Sequence, residues 1–199
     1  MKIIAHRRNT IEQLRATPNQ YGIEVDIRSN GKDLIVHHDP FSLGEKFEDW
    51  ILAYHHETLI LNVKEEGLEI VLLEVMKSHA IENFFFLDQS FPFLIKWSRL
   101  GERRCAVRVS EFESIETALT LAGQVDWIWV DCFTQFPLTN ADFLRLKSAD
   151  FQLCLVSPEL QGRNAEIEIP DLAVLLNERG IVADAVCTKR PDLWELNIL

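Results

Sequence analysis

Residues 22–40 read GIEVDIRSNGKDLIVHHDP, and the fold turns on how this stretch is taken. Its first seven residues are β-rich and apolar apart from Glu24, Asp26 and Arg28. Side chains at i and i+2 of a strand share a face, so Glu24 and Asp26 point the same way. Asn30-Gly31 is a strong hairpin signal. A two-residue loop there sets Glu24 opposite His37, and a loop one residue longer sets it opposite His38. Either way a histidine returns beside two carboxylates. Hard oxygen donors of this kind suit Mg²⁺ or Ca²⁺. The competing reading is an ordinary hairpin whose acids are salt-bridged to Arg28 or Lys64.

Similar apolar runs recur along the chain, at 2–5, 22–28, 59–63, 83–87, 104–109, 126–131, 151–156 and 183–188. Stretches with helical spacing lie between them. In SIETALTLAG the apolar residues Ile115, Ala118, Leu119 and Ala122 fall on one helical face. IPDLAVLLNERG opens with Pro170 and stops at Gly180. TNADFLRLKS offers Thr139 or Asn140 as an N-cap. Continuous apolar strands alternating with helices imply a parallel sheet covered by helices. Eight such units predict an α/β chain folded as a compact (β/α)8 TIM barrel, one domain over residues 1–199. A doubly wound open sheet is the runner-up, but no G-x-G-x-x-G or G-x-x-x-x-G-K loop occurs.

Composition narrows the class. The 199 residues are 47% hydrophobic and 26% charged, as in an ordinary globular protein. The net charge of −11 disfavours a nucleic-acid partner, which requires a basic field. MKIIAHRR is too short, and wrongly charged, for a signal peptide. No apolar run approaches the roughly 20 residues of a membrane span. Cys105, Cys132, Cys154 and Cys187 each sit in an apolar segment and form no C-x-x-C pair. Buried free thiols, and with them a reducing cytoplasm, are expected. Nothing in the sequence points to an oligomeric state.

Barrel enzymes place their chemistry where strands end. Those ends carry His6 and Arg7, Glu24 and Asp26, Asn62 and Lys64, and Asp88 and Gln89. Further along they carry Arg108 and Ser110, Asp131, Ser157 and Glu159, and Thr188 and Lys189. His55 and His56 precede a strand and His79 ends a helix, so all three are expected to be structural or surface residues.

The chain resembles the glycerophosphodiester phosphodiesterase family of (β/α)8 barrels. The family's H-R-G and N-T are matched by AHRRNT, and its E-x-D, D-G turn and H-D by EVDIRSNGKDLIVHHD. Its E-x-K is matched by LNVK and its T-D-x-P by CTKRPDL. The matches follow in order from residue 4 to residue 193. The resemblance implies a metal-dependent phosphodiester hydrolase acting on a small glycerophosphodiester-like substrate, with His6 and His38 as acid and base. His38 is preferred to His37 because it directly precedes Asp39. Arg7 and Lys64 would hold the phosphate, and Glu24, Asp26 and Asn62 would hold a Mg²⁺ or Ca²⁺ ion.

The departures are specific. Asn62 stands where the family has a carboxylate, Arg8 replaces the Gly of H-R-G, and Lys189 replaces the Asp of T-D-x-P. The segment between His38 and Asn62 lacks the family's usual inserted region after strand 2. A weakened or inactive barrel that binds a phosphorylated ligand is the second reading, and Asn62 is what favours it.

Overall fold

The computed structural model describes residues 1–197. β1 (Lys2–Ala5) opens the chain. The rest divides into two compact units, one of residues 5–97 and one running from residue 98 onward together with residues 1–4.

The unit of residues 5–97 contains α1 (Ile11–Ala16), β2 (Gly22–Asn30), β3 (Asp33–Val36), β4 (Glu45–Lys46), α2 (Phe47–Ile51), β5 (Leu59–Val63), α3 (Glu69–Ser78) and β6 (Phe84–Leu87). α4 (Phe91–Arg99) leads out of it. Its strands lie in the order β4-β3-β2-β5-β6. β2, β5 and β6 are parallel, and β3 and β4 add as an antiparallel ribbon. Every residue of LILNV in β5 and of FFFL in β6 is buried, which is why these strands read as unbroken apolar runs. α3 turns Leu72 and Met76 inward, and α2 turns in Phe47 and Trp50. Parallel register sets Asp26 beside Asn62, and β6 ends one residue before Asp88.

The hairpin differs from both expected registers. Asn30 stays in the ladder, paired with Asp33, so the tip is Gly31-Lys32. Only Gly31 has a positive φ, of 68°, which matches a turn with glycine at its first central position. The shift places Asp26, rather than Glu24, across from His37, whose N–H donates to the Asp26 carbonyl. His38 then falls beyond the last ladder pair.

Gly44 holds the segment after His38 against the end of β3. A Cβ at this position would lie 2.4 Å from the Val36 carbonyl oxygen and 3.2 Å from the His37 Cβ. The nearest of these atoms is backbone and has little room to yield. Gly44→Ala is therefore expected to destabilise the fold by about 1–3 kcal/mol in denaturant unfolding.

The second unit contains β7 (Ala106–Val109), α5 (Ile115–Leu119), β8 (Trp127–Val130), α6 (Asn140–Ser148), β9 (Gln152–Val156), α7 (Ala165–Glu178), β10 (Ala185–Thr188) and α8 (Pro191–Asn197). Its order is β1-β10-β9-β8-β7, with β7 to β10 parallel. Thr139 is the N-cap of α6, in a reciprocal capping box with Asp142. α7 corrects the sequence reading. It begins at Ala165 under an Asn164 cap, so Pro170 lies inside the helix rather than at its start. The stop is as expected, with the helix ending at Glu178 and Gly180 at φ 62°.

All eight apolar runs form strands, and the fold is mixed α/β. The four cysteines are buried free thiols. Among the described residues, no helix is long and apolar enough to cross a membrane.

Glu111 ties the loop after β8 to the loop after β7. Its carboxylate accepts N–H groups from Phe133, Thr134 and Gln135. Burial pushes its pKa up, but the donors of Gln135 and Thr134 outweigh that and bring it down to about 2. A depressed carboxylate stabilises the fold above its ordinary pKa of 4.5 and loses that contribution as pH falls toward 2. Glu111→Gln is expected to be about 1–2 kcal/mol less stable than the parent at pH 7. The gap should close as thermal unfolding is repeated between pH 5 and pH 2.

Candidate functional site

Within residues 5–97, six of the seven expected site residues come into direct contact. β1 delivers His6 and Arg7, β2 delivers Glu24 and Asp26, and β5 delivers Asn62 and Lys64. Glu24 and Asp26 are 1% and 0% exposed, so each acid depends on protein partners.

Glu24 Oε1 accepts the Asn62 amide Nδ2 at 2.7 Å. Glu24 Oε2 accepts the backbone N–H of Arg7 at 2.6 Å and lies 3.7 Å from His6 Nε2. Burial, and then the charge of Asp26, push the Glu24 pKa up to about 7 against the pull of Asn62, Lys64 and Arg7. Asp26 Oδ2 accepts Asn9 Nδ2 at 2.7 Å and lies 3.1 Å from Arg7 Nε. Asp26 Oδ1 is 3.2 Å from Lys64 Nζ. The same ammonium is 3.1 Å from Asp88 Oδ2, so Lys64 stands between two carboxylates. Of the two cations named for the salt-bridged reading, Lys64 is the one that pairs with Asp26. Arg28 instead donates to the carbonyls of His38 and Lys64.

The backbone at Arg7 is left-handed, with φ 53°. That region costs a non-glycine residue on the order of 1–2 kcal/mol. Four contacts around Arg7 and Arg8 hold the turn. Arg7 N–H donates to Glu24 Oε2, and Arg8 N–H to the Glu24 carbonyl. Arg8 Nη1 reaches back to the His6 carbonyl, and Trp50 Nε1 donates to the Arg8 carbonyl. Arg8, the departure from H-R-G, therefore splints the turn and also donates to Thr17 Oγ1. Asn9 is the asparagine of the N-T match. It grips Asp26 twice, with Nδ2 on the carboxylate and Oδ1 accepting the Asp26 N–H at 3.0 Å.

His38 lies on the rim. Its Nδ1 is 2.8 Å from Asp39 Oδ1, a partner that places the proton on Nδ1 and leaves Nε2 as the acceptor nitrogen. The His38 contact holds the Asp39 carboxyl below its ordinary value. His37 Nδ1 accepts the Asp39 N–H instead. Arg7, Asn9, Thr10, His37, His38 and Leu43 help to line one cavity of about 590 Å³.

The remaining expected strand-end residues have local partners. Gln89 donates to the buried Glu69. In the second unit Arg108 donates to Asp131, and Ser110 to Glu113. Glu159 accepts Ser157, Thr188 and the Lys189 N–H. His56 Nε2 donates to the Thr17 carbonyl, and His79 Nδ1 donates to the Val75 carbonyl at the end of α3.

The donor set fits a divalent ion poorly. Asn62 turns its nitrogen, not its oxygen, to Glu24, and both oxygens of Glu24 already accept N–H donors. One oxygen of Asp26 is shared by Asn9 and Arg7, and the other faces an ammonium. The buried Asn62 Oδ1 and Asp26 Oδ1 accept no hydrogen bond. Among the described residues, no three His, Cys, Asp or Glu side chains are grouped to hold a metal ion.

No family model matches the chain, and no curated protein matches it in sequence. Solved structures do. A glycerophosphodiester phosphodiesterase from Agrobacterium tumefaciens superposes with a TM-score of 0.67 at 14% identity, covering 98% of both chains. A glycerophosphoryl diester phosphodiesterase from Parabacteroides distasonis gives 0.66 at 13% identity, covering 98% of this chain and 85% of that one. Over nearly its whole length, then, the chain has the fold of glycerophosphodiester phosphodiesterases.

Proposed function

We propose that the protein is a phosphodiester hydrolase acting on a small glycerophosphodiester-like substrate. One observation carries the reading. A buried acid–cation cluster built from His6, Arg7, Glu24, Asp26, Asn62 and Lys64 adjoins, through Arg7, a cavity rimmed by His38. Closure of the eight parallel strand–helix units into one barrel is part of the proposal, and the structural neighbours support it.

Hydrolysis of a diester needs a proton removed from water, charge stabilised on the phosphoryl oxygens, and a proton given to the leaving alkoxide. Arg7 supplies positive charge at the cavity wall, and Asp26 orients its guanidinium. His38, with Nδ1 held by Asp39, presents Nε2 as acid or base. His6, close to Glu24, serves as the other partner. These steps are assigned to the chain's own groups; a Mg²⁺ or Ca²⁺ ion, as the resemblance implies, would have to share Glu24 with the N–H groups of Asn62 and Arg7.

The test is release of glycerol phosphate and free alcohol from a glycerophosphodiester, or of nitrophenol from bis(4-nitrophenyl) phosphate. Turnover that requires His6 and His38 supports the reading. Turnover indifferent to both would sink it. Phosphate binding with no turnover of either diester would favour the second reading, a barrel that holds a phosphorylated ligand. The Asn62–Glu24 hydrogen bond is the observation on that side.

A further inference from the structure

We propose that the cluster takes a phosphate ester without a divalent cation, the positive charge coming from Arg7 and Lys64 and the Asn62 amide occupying Glu24. The inference deepens the phosphodiesterase reading and rests on it.

The argument is one of charge and of lone pairs. A divalent ion at Glu24, Asp26 and Asn62 would meet donors already on Glu24 and on Asp26 Oδ2, and the Lys64 ammonium before Asp26 Oδ1, while Asn62 Oδ1 accepts no hydrogen bond. On Glu24 it would compete with the Asn62 amide at 2.7 Å and the Arg7 N–H at 2.6 Å. The second of these also holds the left-handed turn at Arg7, so the ion would compete with the backbone that presents His6 and Arg7. On Asp26 it must compete with Asn9 at 2.7 Å, Arg7 at 3.1 Å and the Lys64 ammonium at 3.2 Å.

The buried acids Glu24 and Asp26 face two fixed cations, Arg7 and Lys64. With Asp88, three acids face those two cations, so an added divalent charge would leave the cluster one positive charge in excess, which is unfavourable. The rim acid nearby, Asp88, already holds the ammonium at 3.1 Å. Lys64 thus fills, with its own charge, the gap between Asp26 and Asp88 that a metal ion would bridge. Arg7 is the outward-facing part of the set, with a side chain 40% exposed and lining the cavity with His37 and His38. An anion there meets a guanidinium pre-oriented by a buried carboxylate and needs no other cation to seat it.

The experiment uses the wild-type chain with inorganic phosphate as the probe. Phosphate affinity is measured by calorimetry in EDTA, and again with MgCl₂ or CaCl₂ in place of EDTA. The metals are also titrated alone. The expected result is phosphate binding that differs by less than about 2-fold between the conditions, with no metal binding tighter than about 1 mM. Arg7→Ala is expected to weaken phosphate in EDTA by about 10-fold or more. Phosphate binding that appears only with metal, or a tight stoichiometric Mg²⁺ or Ca²⁺ site, would overturn the inference and leave the phosphodiesterase reading in place. Unchanged phosphate binding in a folded Arg7→Ala protein would also overturn it. Absence of phosphate binding under every condition would overturn both.

Discussion

His38→Ala is expected to lower kcat for diester hydrolysis by about 10²–10⁴-fold, the usual worth of a positioned acid or base. The His38 side chain is 42% exposed and its side-chain hydrogen bond is to its neighbour Asp39, so the fold should not register the loss. His6→Ala is expected to have an effect of the same size on kcat. The His6 side chain is 13% exposed and lies against Glu24, so a small loss of stability should accompany it. His37→Ala provides the control. That ring accepts the Asp39 N–H, and its removal should leave kcat within a few-fold of the parent. A steady-state series at several pH values distinguishes the roles, since losing the acid or the base removes one limb of a bell-shaped profile. Equal activity in His37→Ala and His38→Ala would refute the assignment of His38.

The second large effect concerns stability. Asp26 is fully buried and serves Asn9, Arg7 and Lys64 together. Removing one partner of a buried ion pair strands the other charge, at a cost of about 3–5 kcal/mol. Arg7 is partly in water and Lys64 retains Asp88, which places Asp26→Ala near the lower end of that range. For a chain of this size the melting temperature should fall by about 6–12 °C. Asp26→Asn preserves the volume and one acceptor for Asn9, so it isolates the charge term and should lose less. An Asp26→Ala protein as stable as the parent would show that the cations are solvated rather than paired.

The sequence made the strands legible because they are buried on both faces, as LILNV and FFFL show, and such runs need no tertiary information to be read. It also made the acids legible, since an i, i+2 spacing puts Glu24 and Asp26 on one face whatever the neighbours. The hairpin register was not legible. Asn30-Gly31 marks a turn, but whether Asn30 enters the loop or stays paired with Asp33 depends on the ladder, and one residue of difference moves His37 from Glu24 to Asp26. Pro170 misled because proline favours a first helical turn, while Asn164 supplied a cap upstream of it. The partners of the acids were the least visible. That Asn9 grips Asp26 depends on chain segments 17 residues apart meeting only after the strands pair.

The left-handed backbone at Arg7 has a consequence for how this protein can change. A chain shaped by folding alone would carry glycine there, where a side chain is a handicap. The fold keeps arginine and surrounds it with a splint of four hydrogen bonds. Backbone strain and side-chain use therefore pull in opposite directions at this one residue. Arg7→Gly is expected to relax the turn but to leave the buried Asp26 short of a cation, and it strips the cavity wall of its guanidinium.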